Sequence, residues 1–142
     1  ARPGLTAGPC LLKDTLQLAS FYNNNFFLGH SAMLVNEGLA NFLVEELEKK
    51  LGGSLNQKTI AIFGMTFKVD SDDIRDSLSF KIKKKLEQKL AIVLTVDPYL
   101  ADACPIDEAL KKAQGIILGM PHTAFRDIRP NVPFVDCWNA WG

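Results

Sequence analysis

The chain has 142 residues, 47% of them hydrophobic, which is enough to bury a core and excludes a disordered chain. Its 16 Lys and Arg balance 16 Asp and Glu, without the basic excess that a nucleic-acid or anionic-membrane partner calls for. No apolar run approaches the ~20 residues of a membrane helix, and no signal peptide opens the sequence. Three cysteines, Cys10, Cys104 and Cys137, are odd in number and follow no zinc spacing, so a reduced, cytoplasmic chain without a metal site is expected. The first residues, ARPG, lack a methionine, so the chain reads as a piece of something longer.

Residues 1–10 carry two glycines and two prolines and read as a loop. Asp14 to Tyr22 reads as a helix, broken by Asn23-Asn24-Asn25. A long helix is expected from Leu28 to Leu51, because Val35, Leu39, Phe42, Leu43, Leu47 and Leu51 recur at three- and four-residue steps. Gly52-Gly53 ends it with the left-handed geometry common after helices. The period then changes. Short apolar runs at 58–64, 91–96, 115–119 and 132–136 predict strands. Between them, helices are expected at 77–90 and about 106–113, with a helical turn from His122 to Asp127. Strands alternating with helices imply a parallel sheet. The expected fold class is α/β: a helical segment, 1–57, followed by a small Rossmann-like parallel-sheet domain, 58–142. In helix 77–90, Leu78, Ile82, Leu86 and Leu90 form the buried stripe, and the Lys81–Lys85 run reads as a solvated face.

The stretch Ile60–Ser77, IAIFGMTFKVDSDDIRDS, has the pattern of a site. A buried strand ends at Gly64, a polar loop follows, and Ser77 can cap the next helix. Open α/β sheets place ligands at such strand tips, and a helix N-terminus suits an anion. Asp97-Pro98 after the next strand reads as a turn rather than a ribose contact. Cys10 lies where a Gly/Pro loop meets a helix N-terminus, a position that favours a nucleophilic thiolate, although an inert half-buried cysteine fits the residues as well. His30 and His122 stand isolated and read as packed or surface histidines.

Phe67-Lys68-Val69-Asp70-Ser71-Asp72-Asp73-Ile74-Arg75-Asp76-Ser77 closely resembles the F-K-x-D-[TS]-D-D-x-R-[ED]-S signature of the UDP-glucose/GDP-mannose dehydrogenase family, the nucleotide-sugar 6-dehydrogenases. Gly8, Cys10 and Asp14 match the glycine, nucleophile and acid of that family's G-G-x-C-x-x-x-D motif, and Asn36 on the long helix also fits the family's central domain. Ala7 stands in place of one glycine and Leu5 in place of another; Trp138, in Asp136-Cys137-Trp138, stands where the family's D-G-R supplies a substrate-contacting arginine.

The resemblance implies a C-terminal piece of an NAD-dependent oxidoreductase of cytoplasmic polysaccharide biosynthesis, built from the dimer-forming central helices and the UDP-binding domain. It implies oxidation of the sugar C6 alcohol to a carboxylate in two hydride transfers, with Cys10 as nucleophile and Asp14 as base or water-orienting group. Gly8, Phe67 and Lys68 would meet the nucleotide-sugar, and Arg75 would reach the NAD pyrophosphate. NAD would be bound mainly by another, N-terminal domain, since no G-x-G-x-x-G occurs in these residues, and this piece by itself is expected to be inactive. A homodimer through helix 28–51 is expected. The rival reading is a non-catalytic nucleotide-binding or dimerisation module in which Cys10 is incidental.

Overall fold

The computed structural model describes residues 4–23 and 25–142. The loop expected over 1–10 lies partly, and Asn24 of the expected break wholly, outside these described residues. The elements are α1 (Leu11–Phe21), α2 (Phe27–Lys50), β1 (Thr59–Phe63), α3 (Leu78–Gln88), β2 (Ile92–Val96), α4 (Ile106–Lys112), β3 (Gly115–Leu118), a 3-10 turn (Thr123–Phe125) and β4 (Phe134–Asp136). Every pair in the sheet is parallel and the strand order is β2-β1-β3-β4. In the register of the pairs, Ile62 stands between Thr95 and Ile117, and Ile117 in turn opposes Val135.

Helices cover both faces, so the central strands are apolar on both sides. Ile60, Ile62 and Ile117 point to one side and pack with Leu43, Val44 and Leu47 of α2 and Leu78, Ile82 and Leu86 of α3. Ala61, Phe63, Ile116 and Leu118 point to the other side, toward Ala109, Phe125 and Trp141. Burying each large apolar side chain is worth roughly 1.5–3 kcal/mol, against about 0–1 kcal/mol for an exposed ion pair. These two cores therefore outweigh surface pairs such as Lys49–Glu46 and Lys112–Glu108.

Several local details differ from the sequence pattern. Helix α1 starts at Leu11, earlier than the expected Asp14. The Cys10 carbonyl already accepts the Asp14 N–H at 2.8 Å, and nothing from Leu11 onward disfavours a helix. Leu90 is outside the buried stripe: α3 stops at Gln88, and Leu90 turns left-handed at φ 59° with 64% of its surface exposed. The stripe of α2 divides. Leu43 and Leu47 are wholly buried, with Leu39 and Leu51 packed beside them. Val35 (75% exposed) and Phe42 (52%) face away, alongside Phe27, Leu28 and Leu34. At the helix end Gly53 has φ 90° and its N–H bonds the Glu48 carbonyl at 2.8 Å, as a glycine cap does. Among the described residues, no helix is long and apolar enough to cross a membrane, and no cluster of His, Cys, Asp and Glu could hold a metal ion.

Candidate functional site

The polar loop after β1 is held at both ends. At its start Gly64 has φ 89°, and a Cβ there would lie 2.3 Å from the Met120 carbonyl oxygen, so only glycine lets the two strand tips meet. At its end Ser77 caps α3, its hydroxyl accepting the Ser79 N–H at 3.3 Å. The buried Ser79 hydroxyl in turn donates to the Gly64 carbonyl at 2.7 Å, tying the helix start to the strand end. Within the loop, the Phe67 N–H bonds the Asp73 carbonyl at 3.0 Å. Lys68 is exposed at its tip.

Arg75 is paired within the loop. Its Nε lies 3.0 Å from both Asp73 carboxylate oxygens, and its Nη2 is 2.6 Å from Oδ2. This fork holds the Asp73 carboxyl down to about 2 and raises the Arg75 guanidinium.

The cysteine loop docks against this one. Gly8 is buried at φ 120°, and a Cβ on it would stand 3.1 Å from the Phe67 ring. Asn36 of α2 clamps the same loop: its Oδ1 accepts the Thr6 N–H at 3.0 Å and its Nδ2 donates to the Thr6 carbonyl at 2.5 Å. Between the two loops and α3 lies a cavity of about 570 Å³ lined by Gly8, Asn36, Arg75, Ser77, Lys81 and Lys84, among others. That is within the usual size of a small-molecule site, about 300–1,000 Å³. Of the sequence-derived candidates, Gly8 and Arg75 line it; Cys10, Asp14, Phe67 and Lys68 do not. Cys10 is exposed at the start of α1, and Asp14 lies 3.5 Å from Lys13. Cys104 and Cys137 are different: burial first of all pushes both thiols up, Cys137 to about 11, so neither offers a ready thiolate.

A second cavity, of about 730 Å³, opens at the strand tips between Thr6, Val69, His122, Arg126 and Trp138. The Trp138 indole is committed to structure: its Nε1 donates to the Gly119 carbonyl at 3.1 Å, and a Cβ on Gly4 would stand 2.1 Å from its ring. Asp136 holds this segment by accepting the N–H groups of Trp138 (2.7 Å), Ala140 (2.7 Å) and Trp141 (2.9 Å).

The expectation of an isolated His122 is overturned in its first half: the residue is packed, and it is the centre of a buried polar cluster. Its Nε2 lies 3.1 Å from Asp97 Oδ2 and 3.2 Å from Thr66 Oγ1, and its Nδ1 lies 2.9 Å from the Asp70 nitrogen. Asp97 also accepts the Met65 N–H at 2.7 Å and the Tyr99 N–H at 2.9 Å. Burial pushes the Asp97 carboxyl up, but the bonds from His122, Met65 and Tyr99 outweigh it and the net displacement is downward. Asp97 is thus a turn residue, as expected, and also the buried acceptor that joins β2 to the loop after β1. The sequence signal for this cluster is weak, since the side-chain partners of His122 lie 25 to 56 residues before it.

A parallel sheet in this strand order, covered on both faces and carrying its polar loop at the strand tips, defines a Rossmann-like α/β domain. Residues 61–142, more than half of the chain, match the model of the UDP-glucose/GDP-mannose dehydrogenase family, UDP binding domain, and the chain belongs to that family. Among curated relatives, it is 33% identical over 101 residues to UDP-glucose 6-dehydrogenase of Rickettsia bellii, covering 69% of this chain and 23% of that protein. It is 29% identical over 132 residues to UDP-N-acetyl-D-mannosamine dehydrogenase of Pyrococcus horikoshii, covering 89% of this chain and 31% of that one. In fold it matches the structure of a UDP-glucose dehydrogenase from Pyrobaculum islandicum with a TM-score of 0.84 at 22% identity, over 96% of this chain and 35% of that one. The chain therefore spans about a quarter to a third of the length of the curated relatives it matches.

Proposed function

We propose that this chain is the C-terminal part of an NAD-dependent nucleotide-sugar 6-dehydrogenase, acting in the cytoplasm where its three cysteines stay reduced. Residues 1–57 belong on this reading to a central helical, dimer-forming domain and 58–142 to the nucleotide-binding domain. The observation that carries it is the docking of the cysteine loop on the signature loop: Gly8 against Phe67, with the cavity between Gly8, Arg75 and the capped start of α3. Lys68, exposed on the same loop, supplies a point charge for diphosphate or sugar oxygens.

The chemistry on this reading is the one that the family resemblance implies. The C6 alcohol of the substrate first loses a hydride and its hydroxyl proton to become an aldehyde; the Cys10 sulfur adds to that carbon, the C–S bond forms, the carbonyl oxygen takes a proton, and a thiohemiacetal results. After loss of the second hydride and of the hydroxyl proton the sulfur holds a thioester. Water then adds to the acyl carbon, the sulfur departs as thiolate, and a carboxylate remains. Asp14, one helical turn after Cys10, receives or orients the proton of that water. NAD, when bound, supplies the acceptor for both hydrides. Arg75 fits a contact to its pyrophosphate, since Asp73 engages Nε and Nη2 and leaves Nη1 outside that pair. The outward face of α2, with Val35 and Phe42, is the homodimer surface on this reading.

The test is titration of the ¹⁵N-labelled chain with UDP, UDP-sugars and GDP-mannose. Expected are amide shifts at Phe67, Lys68 and residues 5–9, weaker binding in Lys68→Ala, and no NADH production by this chain alone. Absence of any shift with every nucleotide removes the reading.

A further inference from the structure

We propose that His122 is the positioning residue of the loop that presents Lys68, acting as a latch whose hydrogen-bonding sense is set by Asp97. The inference rests on the nucleotide reading of Lys68 only for its purpose; the latch itself stands on the geometry of the buried cluster.

An ionised carboxylate only accepts hydrogen bonds. Asp97 Oδ2 lies 3.1 Å from His122 Nε2, so Nε2 carries the imidazole proton. Nδ1 is then a lone pair, and the Asp70 N–H, 2.9 Å away, donates to it. The opposite tautomer would set N–H against N–H at Asp70 and lone pair against lone pair at Asp97. The Thr66 hydroxyl agrees with this assignment. It gives its own proton to the Lys68 carbonyl at 3.0 Å, which leaves its oxygen free to act, at 3.2 Å, as a second acceptor that shares the one Nε2–H with Asp97.

Lys68 is thereby bracketed. Its carbonyl is held by Thr66, and the residue two places on is held by His122. Asp70 is left-handed at φ 53° and is pinned a second time through its side chain, which accepts the Thr123 N–H at 2.9 Å, the Thr123 hydroxyl at 2.5 Å and the Tyr99 hydroxyl at 3.1 Å. The imidazole is buried between the Tyr99 ring, at 5.0 Å, and the Phe125 ring, at 5.4 Å. A buried imidazole is costly unless both nitrogens are partnered. Here both are, and the partners are strand β2 on one side and the signature loop on the other. A long, mobile lysine side chain thus stands on a fixed stretch of backbone, which lowers the entropy lost when it meets an anion.

Two variants separate the halves of the latch. His122→Asn puts a carbonyl oxygen near the Nδ1 position and keeps an acceptor for Asp70. His122→Gln reaches the Nε2 position and keeps a donor for Asp97, but leaves the Asp70 N–H without its acceptor. In the wild-type chain, long-range ¹⁵N–¹H correlation is expected to show a protonated Nε2 and an unprotonated Nδ1, with slow exchange of the Asp70 amide. Asp70 exchange should stay slow in His122→Asn and become fast in His122→Gln. UDP affinity, read by titration, should fall about tenfold in His122→Gln and stay within about threefold in His122→Asn, as expected for one lost buried hydrogen bond. A protonated Nδ1 in the wild type overturns the proposal, and so does slow Asp70 exchange in the glutamine variant. The tautomer and wild-type exchange are scored without nucleotide and without a variant. A chain that shows both but ignores UDP keeps the latch and loses the nucleotide reading.

Discussion

Asp97 is the most demanding position in the strand-tip cluster. Its Oδ2 accepts the Met65 N–H at 2.7 Å and the His122 Nε2–H at 3.1 Å, and its Oδ1 accepts the Tyr99 N–H at 2.9 Å. Asp97→Ala removes all three acceptor contacts and leaves the buried donors of Met65 and His122 bare. Bonds to a charged group are worth about 1.5–3 kcal/mol each and do not add fully, so the expected loss is about 4 kcal/mol. Asp97→Asn can turn its carbonyl to Met65 and His122 but then faces the Tyr99 N–H with its own donor, and it loses the charge; about 2 kcal/mol is expected. At roughly 3 °C per kcal/mol for a chain of this size, the melting temperatures should drop by about 12 °C and 6 °C. Urea denaturation followed by circular dichroism measures the free energies. The pH dependence gives an independent signature. The folded-state Asp97 carboxyl is displaced downward, so its contribution is present above the ordinary carboxyl value of about 3.9 and is lost as pH falls through the lower folded value. The gap between wild type and Asp97→Asn should therefore narrow below about pH 4. A loss under about 1 kcal/mol in Asp97→Ala, or a gap unchanged from about pH 7 to pH 3, would refute this account of the cluster.

Val35→Asp combined with Phe42→Asp should yield monomers in light scattering that remain folded by circular dichroism, since both side chains are exposed; wild-type chain that is already monomeric at high concentration removes the proposed homodimer. Leu47 is unsuitable for that test because it is wholly buried, and its replacement by Asp would unfold the chain instead. In the longer enzyme of the proposed reading, Cys10→Ser should stop carboxylate formation while Cys104→Ser and Cys137→Ser leave it intact; an active Cys10→Ser enzyme excludes the covalent route. Gly8→Ala should lose about 1–2 kcal/mol, because φ is 120° and the new methyl presses on Phe67 at 3.1 Å. Amide shifts should follow at residues 66–68, and their absence would mean that the two loops do not touch.

Much of this molecule was legible in one dimension because the relevant forces are local. The apolar runs at Thr59–Phe63 and Gly115–Leu118 specify buried strands, Gly52-Gly53 specifies a helix end, and Ser77 specifies a cap. Each depends on neighbours within a few residues, where backbone sterics and hydrophobic period act. The signature loop was legible for the same reason, as one short run of residues, and the Cys10 motif through its resemblance to the family's pattern. Three matters were settled only by tertiary structure. Both Leu43 and Phe42 fit the apolar pattern of α2, yet one is wholly buried and the other half exposed, because only packing against α3 and the sheet decides which side of a broad stripe faces inward. Trp138 stood out in sequence only as a departure from the D-G-R pattern; the fold shows its indole lying against Gly4 and donating to the Gly119 carbonyl. His122 looked isolated because Thr66, Asp70 and Asp97 are far from it in sequence; parallel strands bring their tips together, and a buried imidazole must find its partners there, whatever the distance along the chain.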